Sequence, residues 1–193
     1  AVAGYPIIIG SRELDKAKRV ASELREELGV DHISGEVNQD AARMADISVL
    51  TVVFTAHGSA VKSLKEALQG KILVDATARV DFRDPMPPKQ PAAAVIAQEI
   101  LGENVTVVAA FQNAPAHSLK KNLDQPISTD VLVCADDLDA AEKVIELAED
   151  GYMRAYYAGK LVDAIVVEGI TSLLIHINKH YKTKTASIQI TGL

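Results

Sequence analysis

Short apolar runs alternate with amphipathic stretches along the chain, which predicts strands and helices in turn. Residues 6–10 form a β-branched run suited to a strand covered on both faces. Over 13–28, Ala17, Val20, Ala21, Leu24 and Leu28 recur at helical spacing, and Gly29 supplies a stop. The same reading predicts strands over 33–37, 47–54, 71–76, 105–111, 130–135 and 152–158. Helices are expected from Asn38 (as cap) to Ala45, and over 57–68, 92–101 and 138–150, with Gly70 ending the second of them.

Repeated βα units with short connections imply an α/β chain with a doubly wound, mainly parallel, Rossmann-like sheet. The pattern changes after Ala158. Residues 160–181 read as one long helix whose apolar positions, among them Leu161, Ile165, Ile170, Leu173, Leu174 and Ile177, nearly encircle it. We therefore expect a dinucleotide-type domain over 1–158 and a short helical segment over 159–193, buried against a second copy in a homodimer. Residues 186–190 are expected to form a last strand. Pro85, Pro87, Pro88 and Pro91 make the 84–91 loop stiff, a wall rather than a mobile lid.

Composition narrows the class. At 193 residues the chain suits one domain plus a small appendage. Aromatic residues are only 4% and Trp is absent, so the core must be aliphatic. A net charge of −6 argues against a general nucleic-acid binder. Cys134, the single cysteine, has no internal partner, which favours a reducing, cytoplasmic setting. No uninterrupted apolar run reaches the ~18 residues of a membrane span, and no signal peptide is visible.

A doubly wound dinucleotide domain opens with a strand, a Gly-rich turn and a helix. Residues 1–5 instead read as the end of a helix with its Gly4 stop, and no G-x-G-x-x-G occurs in the sequence. The expectation is that a first βα unit is missing from this sequence and that something takes the strand's place. Just after the run at 6–10, Ser11, Arg12 and Lys16 offer a hydroxyl, a planar guanidinium and an ammonium where an NAD enzyme needs an acceptor, which suits an NADP 2′-phosphate. The competing reading has Ser11 capping the helix, with Arg12 and Lys16 on a solvated face.

Five segments occur in order: Ile7-Ile8-Ile9-Gly10-Ser11-Arg12, the stretch 35–42, Ala45-Asp46-Ile47-Ser48-Val49-Leu50-Thr51, Cys134-Ala135-Asp136-Asp137 and Glu168-Gly169-Ile170-Thr171. Together they resemble the NADPH-dependent reductases of coenzyme F420, a deazaflavin. The resemblance spans essentially the whole chain. It implies an NADP-dependent oxidoreductase that passes a hydride between NADP(H) and coenzyme F420 as substrate, with no catalytic side chain and no metal required. It implies cofactor-binding roles for Ser11, Arg12, Lys16, Thr51, Phe54, Gly58, Ala76 and Ala116. It places Gln112, Asn113, Ala114, Pro115, Thr171, Ala186 and Ser187 along the deazaflavin site. This sequence departs from the pattern at Val53, where a relative can carry Pro, at Gln112, where a His can occur, and at Ala78-Arg79. Two other readings stand beside it: an imine- or hydroxyacid-type NADP reductase, and a non-catalytic dinucleotide-binding remnant.

Remaining constellations are weak. His176 and His180 are spaced as a zinc pair but lack a third ligand, so a solvated helix end is expected. His57 and His117 read as helix-start positions. Asp136-Asp137-Leu138-Asp139 reads as an acidic helix start rather than a calcium loop. Cys134 lies within an apolar strand and is expected to be buried.

Overall fold

Nearly every residue of the central strands is buried and successive residues face opposite sides, as a sheet covered on both faces requires. Leu73, Val107, Ala109, Leu132 and Cys134 face one apolar cluster, while Val74, Val108, Val131, Val133 and Ala135 face another. The structure is a computed structural model and describes residues 1–119 and 125–193. Its elements in order are β1 (Ile7–Ser11), α1 (Leu14–Leu28), β2 (Ile33–Val37), α2 (Asn38–Met44), β3 (Ile47–Leu50) and α3 (Phe54–Leu64). Then come β4 (Ile72–Asp75), α4 (Ala93–Leu101), β5 (Thr106–Ala109), α5 (Ala116–Leu119), β6 (Asp130–Ala135), α6 (Leu138–Asp150) and β7 (Arg154–Gly159). A 3-10 turn, Leu161–Asp163, leads into α7 (Ala164–Tyr181).

The strands fall into two sheets. β1 pairs with β2 in parallel, Ile7 opposite Ile33, and the second sheet runs β3-β4-β5-β6-β7. All neighbours in it are parallel except β5 and β6, so the mainly parallel, Rossmann-like expectation holds. Among the described residues, β1 pairs only with β2, and β3 only with β4 on the strand order given by the second sheet. Both are less well covered than the interior strands: Ile7, Ile8 and Ile9 are half-buried and Val49 is 48% exposed, whereas Leu73 and Val74 are sealed.

Local chemistry fixes the helices. Ala17 and Ala21 bring α1 close to β2, and a Cβ at Gly35 would overlap the backbone of Ala17, so the contact requires glycine there. Gly29 ends α1 in the left-handed region at φ 65°. Asp137 caps α6 by accepting from Ala140 N at 3.0 Å, the acidic helix start expected of it. Cys134 is buried as expected, and burial pushes its thiol up to about 11, which keeps it protonated and inert.

Several boundaries differ from the sequence reading. The apolar run at 47–54 is not all strand: β3 ends at Leu50 and α3 starts at Phe54, because the chain must turn at the sheet's carboxyl edge. Asn38 is the first helical residue of α2, not a side-chain cap. Residues 186–190 form no strand. They are held to the start of β6 by Asp130 N donating to Ile188 O and by Ile190 N donating to Asp130 Oδ2. The 21-residue stretch Leu161–Tyr181 does reach the length and mean hydropathy, 1.6, of a membrane span, against the expectation of none. Here it is docked on the domain through buried Ala164, Val167, Thr171 and Leu174, and buried Glu168 and Ser172 bond to the chain beneath it. Nor is it buried all round, since Val162, Val166, Leu173 and Ile177 face outward.

Candidate functional site

Open α/β sheets bind ligands beyond the carboxyl ends of their strands, where loops diverge. The carboxyl ends of β3, β4 and β5 deliver Thr51, Phe54, Asp75, Ala76 and Gln112 to one such crevice. Asp75 is its buried hub. One carboxylate oxygen accepts from Thr77 N at 2.9 Å, and the other lies 2.6 Å from His57 Nε2, which donates to it. The backbone carbonyl of Asp75 accepts from Gln112 Nε2 at 2.9 Å. The carbonyl of Gln112 in turn accepts from the Thr171 hydroxyl of α7 at 2.9 Å. Thus α3, β4, the turn after β5 and α7 are tied through one aspartate.

The turn after β5 is strained. Phe111 adopts φ 72°, a left-handed conformation that costs a bulky residue on the order of 1–3 kcal/mol. The two residues that follow, Gln112 and Asn113, are buried, bonded to Asp75 O and Asp130 O respectively. Among the described residues, His57 Nδ1, Thr77 Oγ1 and Gln112 Oε1 are buried polar atoms with no hydrogen-bond partner. All three residues bond to Asp75, so three of the four such atoms gather at this crevice, the fourth being Thr129 Oγ1.

The wall of the crevice is the 76–92 segment, and Glu168 clasps both its ends. One carboxylate oxygen accepts from Arg79 N at 2.8 Å and the other from Ala93 N, at the start of α4, at 2.7 Å. Burial pushes the Glu168 carboxyl above the ordinary glutamate range, and those two N–H groups pull partly against it. The Pro85 carbonyl accepts from the Ser172 hydroxyl and lies 2.9 Å from His176 Nε2. Lys179 Nζ donates to Arg83 O at 3.0 Å. The stiff loop read from its prolines is therefore fastened along one stripe of α7.

The residues expected from sequence divide into groups. Ser11 Oγ accepts from Glu13 N at 3.3 Å, but Glu13 is the N-cap of α1 and no side chain caps that helix, so Ser11 is not its cap. Arg12 and Lys16 are exposed at the carboxyl end of β1 and form no ion pair among the described residues. Thr51 is exposed, Phe54 and Ala76 are half-buried, and a Cβ at Gly58 would meet nothing within 4 Å. Gln112 and Thr171 are brought into direct contact. Asn113 commits its amide to β6, donating to Asp130 O at 2.6 Å and accepting from Leu132 N. Ala114, Pro115 and Ala116 follow in the turn leading into α5. The tail residues hold chain to chain: Ala186 N donates to Asn178 Oδ1 and Ser187 Oγ to Ser128 O.

His57, Arg79 and Glu168 had no role assigned from sequence. Their signal was polarity out of place: Asp75 ends an apolar strand, and Glu168, Ser172 and His176 recur at i, i+4, i+8 on an apolar helix. His176 is thus bonded to the wall rather than simply solvated, and His180 packs edge-on against Tyr181 at 4.7 Å. Two other hollows, of about 380 and 690 Å³, are rimmed by Glu103 and Asp136 near the amino end of β5. Their acidic rims repel an anionic dinucleotide and they contain none of the expected residues.

Comparison with known proteins identifies the family. A family profile described as "NADP oxidoreductase coenzyme F420-dependent" matches residues 1–79. The F420-dependent NADP reductase of Methanothermobacter thermautotrophicus is 40% identical over 207 aligned positions, covering 100% of this chain and 87% of that protein. The protein of the same name from Methanocaldococcus jannaschii is 40% identical, covering 97% of this chain and 88% of its own length. A crystal structure from Arthrobacter sp. FB24, provisionally named an F420-dependent NADP-reductase, superposes with TM-score 0.80 at 22% identity over 98% of this chain and 90% of its own. That likeness supports the fold alone, whereas the two sequence relatives carry the assignment. The chain belongs to the F420-dependent NADP reductase family.

Proposed function

We propose that the protein transfers a hydride between NADP(H) and coenzyme F420 in the crevice beyond β3, β4 and β5. The observation that carries this reading beyond family membership is the pair of exposed cations Arg12 and Lys16 beside Ser11, which form no ion pair among the described residues. Cations there fit a 2′-phosphate and do not fit the acceptor role that an NAD ribose requires. The family names do not favour the imine- or hydroxyacid-reductase reading.

Both ligands bring their own redox chemistry, the nicotinamide as hydride carrier and the deazaflavin as its partner. The chain's residues position and enclose. Thr51, Phe54, Gly58 and Ala76 leave room for a flat ring at the strand ends, and Ala116 begins the next helix beside it. Gln112, Ala114, Pro115 and Thr171 line the deazaflavin side, with Asn113 bracing the turn from below and Ala186 and Ser187 closing the tail. The wall at 76–92 shields one flank from water.

The pyrophosphate of a dinucleotide sits on the turn after the central strand of such a sheet. A strand laid between β1 and β3 would join the two sheets, cover Val49 and the Ile7–Ile9 run, and carry that turn. A second copy of the chain is proposed to cover the outward stripe of Val162, Val166, Leu173 and Ile177, giving a homodimer. A cytoplasmic location is proposed on the lone, reduced Cys134.

The test is bleaching of oxidised F420 absorbance by NADPH, measured with the 193-residue chain alone and with a strand and Gly-rich turn placed ahead of Ala1. Transfer that runs with NADPH and not with NADH supports the reading. No transfer by the longer chain overturns it.

A further inference from the structure

We propose that Arg79 is an anion-binding residue of the crevice, taking a phosphate-ester group of a bound cofactor; this rests on the proposed function. Arg79 follows β4, and Glu168 fixes its backbone N–H at 2.8 Å. Its guanidinium carbon stands 5.1 Å from the centre of the Phe54 ring, a cation–π arrangement. Nη1 donates to Lys89 O at 3.0 Å and to Pro91 O at 3.2 Å. One edge of the guanidinium is thereby anchored to the wall and one face to the ring.

The other edge has no protein partner. Among the described residues Arg79 makes no ion pair, and neither Nε nor Nη2 donates to anything. The residue is half-buried, while the guanidinium itself lies at the surface of the wall, open to a ligand. The Glu168 carboxyl lies close enough to interact with the Arg79 charge but makes no ion pair with it, so the free edge stays open to an anion. Planar N–H groups along one edge match phosphate oxygens two at a time. Because wall and ring already hold the side chain, little rotamer freedom remains to be lost on binding. Phe54 places this edge beside the strand ends, separate from the Ser11, Arg12 and Lys16 group at β1.

Two phosphate-ester sources fit the chemistry: the pyrophosphate of NADP(H) and a phosphodiester on the side chain of the deazaflavin. Kinetics of the full chain with Arg79→Ala and Arg79→Lys separate them. We expect KM to rise about tenfold or more for one cofactor, as loss of a charge-assisted pair implies, with kcat nearly unchanged. A rise for NADPH alone assigns the pyrophosphate, and a rise for F420 alone assigns the phosphodiester. Arg79→Lys should fall between wild type and alanine, because it keeps the charge and loses the fork.

Calorimetric titration with inorganic pyrophosphate gives a readout independent of turnover: it should bind wild type more tightly than Arg79→Ala. Unchanged KM for both cofactors overturns the proposal. So does a variant that loses melting temperature, kcat and both KM values together while binding pyrophosphate like wild type, since Arg79 would then only brace the wall. If wild type transfers no hydride but binds pyrophosphate through Arg79, the proposed function falls and this inference stands.

Discussion

The imidazole Nε2 of His57 lies 2.6 Å from a carboxylate oxygen of Asp75, and both side chains are sealed from solvent. His57 belongs to the first turns of α3 and Asp75 to the end of β4, so the pair couples two elements that form the crevice floor. Asp75 also fixes Thr77 N and, through its carbonyl, the Gln112 side chain.

Removing one member of that pair strands the other. Asp75→Ala should cost at least about 1–3 kcal/mol, the range for a buried hydrogen-bonding group left without its partner. Chemical denaturation of wild type and variant measures it, and a cost below about 1 kcal/mol would show the pair to be incidental.

The Glu168 clasp makes stability depend on pH. Its folded pKa lies above the ordinary 4.5, so the folded protein holds the proton to higher pH than the unfolded chain. The favourable contribution is therefore full below 4.5 and is lost as pH rises through the raised value. Glu168→Gln should abolish this part of the slope. It should also be less stable than wild type by about 1–3 kcal/mol, because the amide offers one accepting oxygen to the two N–H groups of Arg79 and Ala93 where the carboxyl offers two. Denaturant midpoints taken across the acidic range, wild type minus variant, test both statements. A flat difference curve contradicts them.

Arg12 is expected to set cofactor choice. Arg12→Ala should weaken NADPH by about 1.5–3 kcal/mol and leave NADH unchanged. Titrations with the two dinucleotides decide it, and equal losses would make Arg12 structural.

The outward stripe of α7 is expected to be an interface. Leu173 is 62% exposed, so a lone Leu173→Glu change in a monomer would be nearly neutral. In a dimer it buries a charge against apolar neighbours and should give monomers or insoluble protein. Sedimentation of wild type as a monomer at micromolar concentration would refute the interface.

The element series was legible in the sequence because burial on both faces writes continuous apolar runs, and a helix on a sheet writes a 3.6-residue period. The segments at 33–37, 130–135 and 138–150 needed only that pattern, and the strand read over 6–10 lies one residue on, at Ile7–Ser11. The capping role of Asp137 and the inertness of Cys134 were equally local. The expectation of a stiff 84–91 loop came from proline geometry, whereas its fastening to Ser172 and His176 came from the fold. Gly35 was different, because the close approach of α1 that requires it is a tertiary fact.

The crevice was decided by tertiary structure. His57 and Asp75 are 18 residues apart, Gln112 and Thr171 are 59, and Arg79 and Glu168 are 89. No period or spacing relates such pairs, because only the stacking of βα units and the return of α7 across the strand ends brings them within hydrogen-bonding distance. The same holds for the end of β3: Val52 and Val53 have strand propensity, but the chain must leave the sheet where the crevice opens. Sequence specified which surfaces were apolar, and the fold decided which polar groups met where those surfaces stop.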